Sequence, residues 1–188
     1  ESLLPYLTRI DPKANNFVVL HLMGSHIYYN NRYPDTWAKF TSAPGDSAAT
    51  SAPSYANSIL YTDHILSEIF AYAEKNLNLR AMIYFSDHGE DLQISHNPDV
   101  FKFDMVHIPM FIYLSPEYRA AMPRRTATLA ARQDAYFTND MMYDTVCGLL
   151  GGALRLRLAP GCGGGIRVRG SPARRIVTHE SSFRPRPG

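Results

Sequence analysis

A chain of 188 residues, 45% apolar and 19% charged, has the make-up of one globular domain, not of a disordered or fibrous polypeptide. Two cysteines, Cys147 and Cys162, exclude a disulfide scaffold and a cysteine-built zinc site, and the longest charge-free apolar run, Met105 to Pro116, is too short to span a bilayer. The net charge of +2 averages two unlike segments: residues 1–151 carry 11 Lys and Arg against 16 Asp and Glu, whereas residues 152–188 carry eight Arg against one acid, with seven of the twelve glycines.

In chain order, residues 1–10 lack the basic region and apolar block of a signal peptide, so no leader is expected there. Asn16 to Met23 is a short continuous apolar run closed by Gly24-Ser25-His26, the pattern of a strand buried on both faces. Residues 28–34 are polar, and the Ala/Ser/Thr/Pro-rich stretch 41–54 reads as an exposed loop. Ser54 then offers a cap for a helix from Tyr55, whose inner face is Ile59, Leu60, Ile65, Leu66, Ile69, Phe70, Ala73 and Leu77 and which ends near Asn76-Leu-Asn78. A second buried strand, 81–86, follows, and helix followed by strand predicts that strands 16–23 and 81–86 are parallel neighbours in one sheet. After a polar stretch, residues 108–114 predict a third strand with Pro109 at its first residues, and Thr138-Asn-Asp140 predicts the start of a helix whose inner face ends at Leu150. The expected fold class is α/β.

Ligands of parallel α/β sheets gather beyond the carboxyl ends of the strands. His26 follows the first strand, Asp87-His88-Gly89 the second, and His96 lies in the loop beyond, so histidine and aspartate collect where a borderline cation such as zinc could be held. Adjacent strand residues point to opposite faces, so Asp87 and His88 share one ion only if the backbone turns, a freedom Gly89 supplies. On the residues alone, a capping Asp beside a hydrogen-bonded His explains the pair equally well, and loop histidines more often serve no ligand. His21 reads as a satisfied core histidine, His64 as partly solvated, and His107 is given no role. Tyr28, Tyr29 and Tyr33 either line a pocket or simply pack. Cys147 reads as an inert buried thiol. No Gly-x-Ser-x-Gly elbow, P-loop or Gly-x-Gly-x-x-Gly occurs.

Several spaced motifs in a fixed order carry further. Val19-Leu-His-Leu-Met-Gly-Ser-His26, Tyr29-Asn-Asn-Arg-Tyr-Pro34, Tyr55-Ala-Asn-Ser-Ile-Leu-Tyr-Thr-Asp63, Tyr84-Phe-Ser-Asp-His-Gly-Glu90, Ser95-His-Asn-Pro98 and Ile108-Pro-Met-Phe-Ile112 together resemble the sulfatase-like phosphoethanolamine transferases of the alkaline phosphatase superfamily. The resemblance covers roughly residues 5–151. It implies an alkaline-phosphatase/sulfatase-like sandwich, a mostly parallel central sheet flanked by helices, incomplete at its amino-terminal side. It also implies zinc-dependent transfer of phosphoethanolamine from phosphatidylethanolamine to lipid A, the lipopolysaccharide core or a related envelope glycan, through a phosphorylated threonine. Matched residue by residue, Asp87 and His88 fall on zinc ligands, and His26 and His96 on histidines that contact the phosphoryl group or move protons.

The departures set further expectations. The family's nucleophilic threonine, a glutamate zinc ligand and the membrane helices lie upstream of the matched region, so the chain alone is expected to be inactive. Its parent is expected at the periplasmic face of the bacterial inner membrane. Position 56 is alanine where the pattern usually has aspartate. Residues 152–188 do not resemble the family's ending; their bias reads as a disordered or frame-shifted tail rather than a basic arm, and no nucleic-acid partner is expected. The other readings kept open are a sulfatase or phosphoester hydrolase of the same superfamily and a non-catalytic remnant.

Overall fold

The structure, a computed structural model, describes residues 3–47, 49–97 and 99–151, with the backbone of 176–180. The expectation of a disordered or frame-shifted tail therefore falls largely outside the described residues, as does Cys162. The chain divides into two compact units, one of residues 1–79, 88–109 and 174–188, the other of residues 80–87 and 110–173.

In the first unit a single turn, α1 (Leu4–Leu7), precedes strand β1 (Phe17–His21). The long helix α2 spans Ala52–Asn76, about 37 Å at ~1.5 Å per residue. It begins three residues before the expected start. Ser51, not Ser54, is the cap, its side chain accepting from the Ser54 N–H, and Pro53 sits in the first turn, where its missing N–H costs no hydrogen bond. At the other end Asn78 takes a left-handed conformation (φ 51°), the usual way to stop a helix just past its last turn. Of the expected inner face, Ile65, Ile69 and Ala73 are buried at i, i+4 and i+8, and α1 packs against the helix with Leu3 and Leu7 buried.

The first turns of α2 depart from the apolar pattern. Ile59 is exposed, and the buried positions are Ser54, Asn57 and Ser58. The Asn57 amide explains this: its Oδ1 accepts from the Lys39 and Phe40 N–H groups at 2.8 and 2.9 Å, and its Nδ2 donates to the Phe40 carbonyl and the Tyr33 hydroxyl. With both ends partnered, the amide can be buried without the usual desolvation cost, and it fastens the preceding loop to the helix. Hydrophobic periodicity cannot signal a buried face made of amide and hydroxyl.

The second unit is built on a hairpin-like pair. Strand β2 (Ala81–Phe85) runs antiparallel to β3 (Met110–Leu114), with Ala81 opposite Leu114 and Phe85 opposite Met110. Tyr84 and Phe111, opposite each other, place their rings 5.6 Å apart. β3 starts immediately after Pro109, which has no N–H for the ladder. Ser115 ends the strand and caps α3 (Pro116–Ala121); α4 (Pro123–Ala130) follows, and neither helix was expected. Asn139 opens a short 3-10 turn leading to α5 (Met142–Leu149), and the Tyr118 hydroxyl donates to the Leu149 carbonyl at 2.7 Å, tying α3 to the end of α5. Cys147 is half-buried in α5, not deep in a core.

Among the described residues β1 pairs in parallel with β4 (Ile176–Glu180) and β2 pairs antiparallel with β3, so the expected pairing of the first two strands is not among the pairs formed. Helix followed by strand is the same local signal whether the flanking strands are neighbours or not, so the sequence carried no information on pairing. Nor are the strands buried on both faces: Val19, Phe85 and Phe111 are exposed, and His21, expected in the core, lies exposed at the end of β1.

Candidate active site

Two loops of the first unit meet in a cluster of histidines. The loop leaving β1 turns through Gly24, whose φ of +51° falls in the left-handed region that glycine tolerates, and delivers His26. Arg32 holds it from behind, Nε donating to the His26 carbonyl at 3.0 Å and Nη2 to the Ile27 carbonyl at 2.9 Å. The second loop carries His88 and His96. The His96 ring lies 4.4 Å from that of His88 and 5.9 Å from that of His26, centroid to centroid. Three imidazoles from two loops thus share one locality.

Gly89 is what lets the second loop fold so tightly, for a different reason than expected. Its φ is not left-handed. A Cβ at this position would lie 2.0 Å from the Asp104 carbonyl oxygen and 2.9 Å from that of His107, while its own N–H donates to the Met105 carbonyl at 2.7 Å. Glycine is required for close backbone approach, not for backbone freedom.

A carboxylate missed in the sequence organises the cluster. Glu90 is buried, its side chain 6% exposed. Its Oε1 accepts from the Tyr29 hydroxyl at 3.0 Å and the Ser95 hydroxyl at 2.5 Å, and its Oε2 lies 3.0 Å from His96 Nδ1. Burial works to raise the Glu90 carboxyl, and the hydrogen bonds from Ser95, His96 and Tyr29 outweigh it, holding the group below its ordinary range. Tyr29 shifts the opposite way: burial and its bond to Glu90 raise its phenol well above the usual value, so it stays a donor. Of the three loop tyrosines, Tyr29 packs edge-on against Tyr55 and serves Glu90, Tyr33 contacts Asn57, and Tyr28 is exposed.

His88 Nδ1 lies 2.8 Å from the Gly89 carbonyl oxygen, which can only accept, so this nitrogen carries the proton and Nε2 keeps its lone pair. That is the arrangement of a metal-binding histidine, whose other nitrogen is held by a carbonyl. One ligand-type atom each from His88, Glu90 and His96 lies within 4.8 Å of the others. Two imidazoles and a carboxylate fit a borderline divalent cation such as zinc by donor chemistry. Asp87 belongs to the second unit, at the exit of β2, where Asn139 Nδ2 donates to its carbonyl at 2.9 Å and to that of Ser86 at 3.2 Å.

A family model described as Sulfatase matches residues 1–153. The chain belongs to the sulfatase family. Members of this family are metalloenzymes with an alkaline phosphatase-like α/β fold, and the histidine and carboxylate group above is one that could hold a metal ion. Among curated proteins the chain is similar to phosphoethanolamine transferase EptA of Salmonella typhimurium, 30% identical over 160 residues, covering 74% of this chain and 28% of the relative. It is 32% identical over 129 residues to phosphoethanolamine transferase EptC of Escherichia coli K12, covering 61% and 22%. It is 27% identical over 161 residues to the Kdo(2)-lipid A phosphoethanolamine 7''-transferase of Salmonella typhimurium, covering 75% and 27%. The chain thus spans about a quarter of the length of the curated relatives it matches. No solved structure matches it significantly. Among the described residues no helix is long and apolar enough to cross a membrane.

The signal that could have singled out Glu90 was present in the sequence. A glutamate directly after Asp-His-Gly and six residues before a histidine sits within reach of that histidine once the loop doubles back, as the bridge between Asp91 and Ser95 makes it do.

Proposed function

We propose that this chain carries the phosphoryl- and metal-binding part of a zinc-dependent phosphoethanolamine transferase. Asp87 and His88 are the zinc ligands, and His26 and His96 face the phosphoryl group being moved. The donor is phosphatidylethanolamine and the acceptor a lipid A or related lipopolysaccharide hydroxyl, which puts the whole protein at the periplasmic face of a bacterial inner membrane. The observation that carries the reading is the convergence of His26, His88 and His96 from two loops, in a chain whose relatives are named for phosphoethanolamine transfer.

A bound zinc ion would neutralise charge on the phosphoryl oxygens and make an attacking hydroxyl easier to deprotonate. The chain's own residues do the rest. The Gly89 carbonyl keeps the lone pair of His88 on Nε2. Arg32 fixes the backbone that bears His26, and the third imidazole is set by the loop from Glu90 to His96.

Zinc titration by calorimetry tests this directly. The wild-type chain should bind zinc, and Asp87→Ala and His88→Ala should each weaken binding at least tenfold, while inorganic phosphate binding to the zinc-loaded chain should fall in His26→Ala and His96→Ala. Equal zinc binding in wild type and both ligand variants would overturn the assignment.

A further inference from the structure

We propose that Glu90 is a positioning residue that fixes the tautomer and orientation of His96, presenting Nε2 to the site as a lone-pair acceptor. The inference deepens the transferase reading and rests on it for the identity of what Nε2 meets.

The argument is one of donors and acceptors. A carboxylate only accepts, so across the 3.0 Å contact His96 Nδ1 must be the protonated nitrogen. In the neutral imidazole Nε2 then carries the lone pair. The carboxylate is itself held in place: the Tyr29 and Ser95 hydroxyls donate to its other oxygen, and only 6% of its side chain is exposed. Tyr29 is 2% exposed and its backbone N–H donates to the Ala49 carbonyl at 2.8 Å, so the anchor belongs to the packed body of the unit. The His96 side chain, by contrast, is 39% exposed. An imidazole that projects this far and still has one ring nitrogen clamped to a buried anion is oriented by that anion. The logic is that of any imidazole held by a carboxylate on its far nitrogen.

The arrangement also separates the two roles open to His96. With its proton committed to Glu90, the neutral imidazole accepts at Nε2: it can take a hydrogen bond or a proton from an attacking hydroxyl or from a protonated phosphoryl oxygen.

The test uses the full chain, labelled with nitrogen-15, in mildly alkaline buffer where imidazoles are neutral. Long-range proton–nitrogen spectra distinguish the two tautomers, and His96→Gln assigns the resonance. Wild type should show His96 protonated on Nδ1. Glu90→Ala should move it toward the Nε2–H form, Glu90→Asp should partly restore the wild-type signature, and His26 should keep its own tautomer throughout. A His96 protonated on Nε2 in the wild type, or unchanged in a folded Glu90→Ala, would overturn the proposal. Should Glu90→Ala fail to fold, Tyr29→Phe with Ser95→Ala loosens the carboxylate instead and should broaden the His96 signal; a sharp, unchanged signal would count against the proposal. Inorganic phosphate titrated into the zinc-loaded wild type answers separately for the transferase reading. If phosphate leaves the His96 and His26 resonances unmoved, that reading fails even where the tautomer result stands.

Discussion

The two loops that bring histidines together are stabilised in opposite ways. The loop after β1 is held by one cation from its own sequence neighbourhood: Arg32, six residues beyond His26, donates to two consecutive carbonyls. The loop after β2 is held by two adjacent carboxylates. Glu90 gathers Tyr29, Ser95 and His96, and Asp91 gathers the Gln93 and Ile94 N–H groups with Lys102 at 2.7 Å. In the first loop the group that positions the backbone and the group placed for chemistry are different residues. In the second a single carboxylate both holds the loop and touches the imidazole. Changes to the first loop should therefore be local, whereas changes to the second should reach fold and site together.

The sharpest way to break this contrast is Gly89→Ala. The added methyl would meet the Asp104 carbonyl at 2.0 Å, and backbone cannot swing aside as a flexible side chain can. Overpacking of this kind costs about 3 kcal/mol. Denaturant titration should show the midpoint falling with an unchanged slope, and zinc affinity should fall as well, because the displaced turn carries His88. A variant as stable as wild type would show that the Phe103–Met105 turn yields freely and that the second loop is not held as described.

Much of this organisation was legible in the residues and some was not. Histidines after two of the three expected strands and the Asp-His-Gly turn stand out as possible ligands, and the order of several short motifs identifies the family. The strands and the long helix were legible because apolar runs and a 3.6-residue period are local properties. Pairing is not local, so the residues alone did not show that β1 pairs with β4 and β2 with β3. Asn57 escaped notice because its burial is licensed by four hydrogen bonds to a loop seventeen or more residues away. Glu90 escaped because an acid in a polar loop looks solvated until the donors that surround it are known. Gly89 was noticed for the wrong reason: a sequence shows that glycine is present, and only the carbonyls of residues 104 and 107 show what its missing side chain makes room for.

Arg32→Ala tests the other side of the contrast and should have a smaller effect. Two hydrogen bonds from a half-buried guanidinium to carbonyls are lost, roughly 1–2 kcal/mol in total. Hydrogen exchange should accelerate for amides of residues 24–31 and remain slow for residues 88–96. Arg32→Lys should recover only part, since an ammonium cannot reproduce the two-nitrogen fork across adjacent carbonyls. Faster exchange in both loops would mean that they open as one unit and that the comparison drawn above does not hold.

The smallest expected effect is Asp91→Asn, which sharpens the comparison by pH. The Lys102 ammonium, then the Ile94 and Gln93 N–H groups, hold the Asp91 carboxyl below its ordinary range. A carboxyl depressed in the folded state contributes stability that is present above its unfolded value and is lost as pH falls through the folded one. The wild type should therefore lose thermal stability progressively below about pH 4, the ordinary carboxylate range. The substituted amide has no charge to titrate, although its oxygen still accepts from the two N–H groups, so the variant should be modestly less stable at neutral pH and show a shallower acid slope. The two melting curves should converge on acidification. Were they to stay parallel down to strongly acidic pH, Asp91 would be contributing through hydrogen bonds alone, and the second loop would owe its acid sensitivity to Glu90.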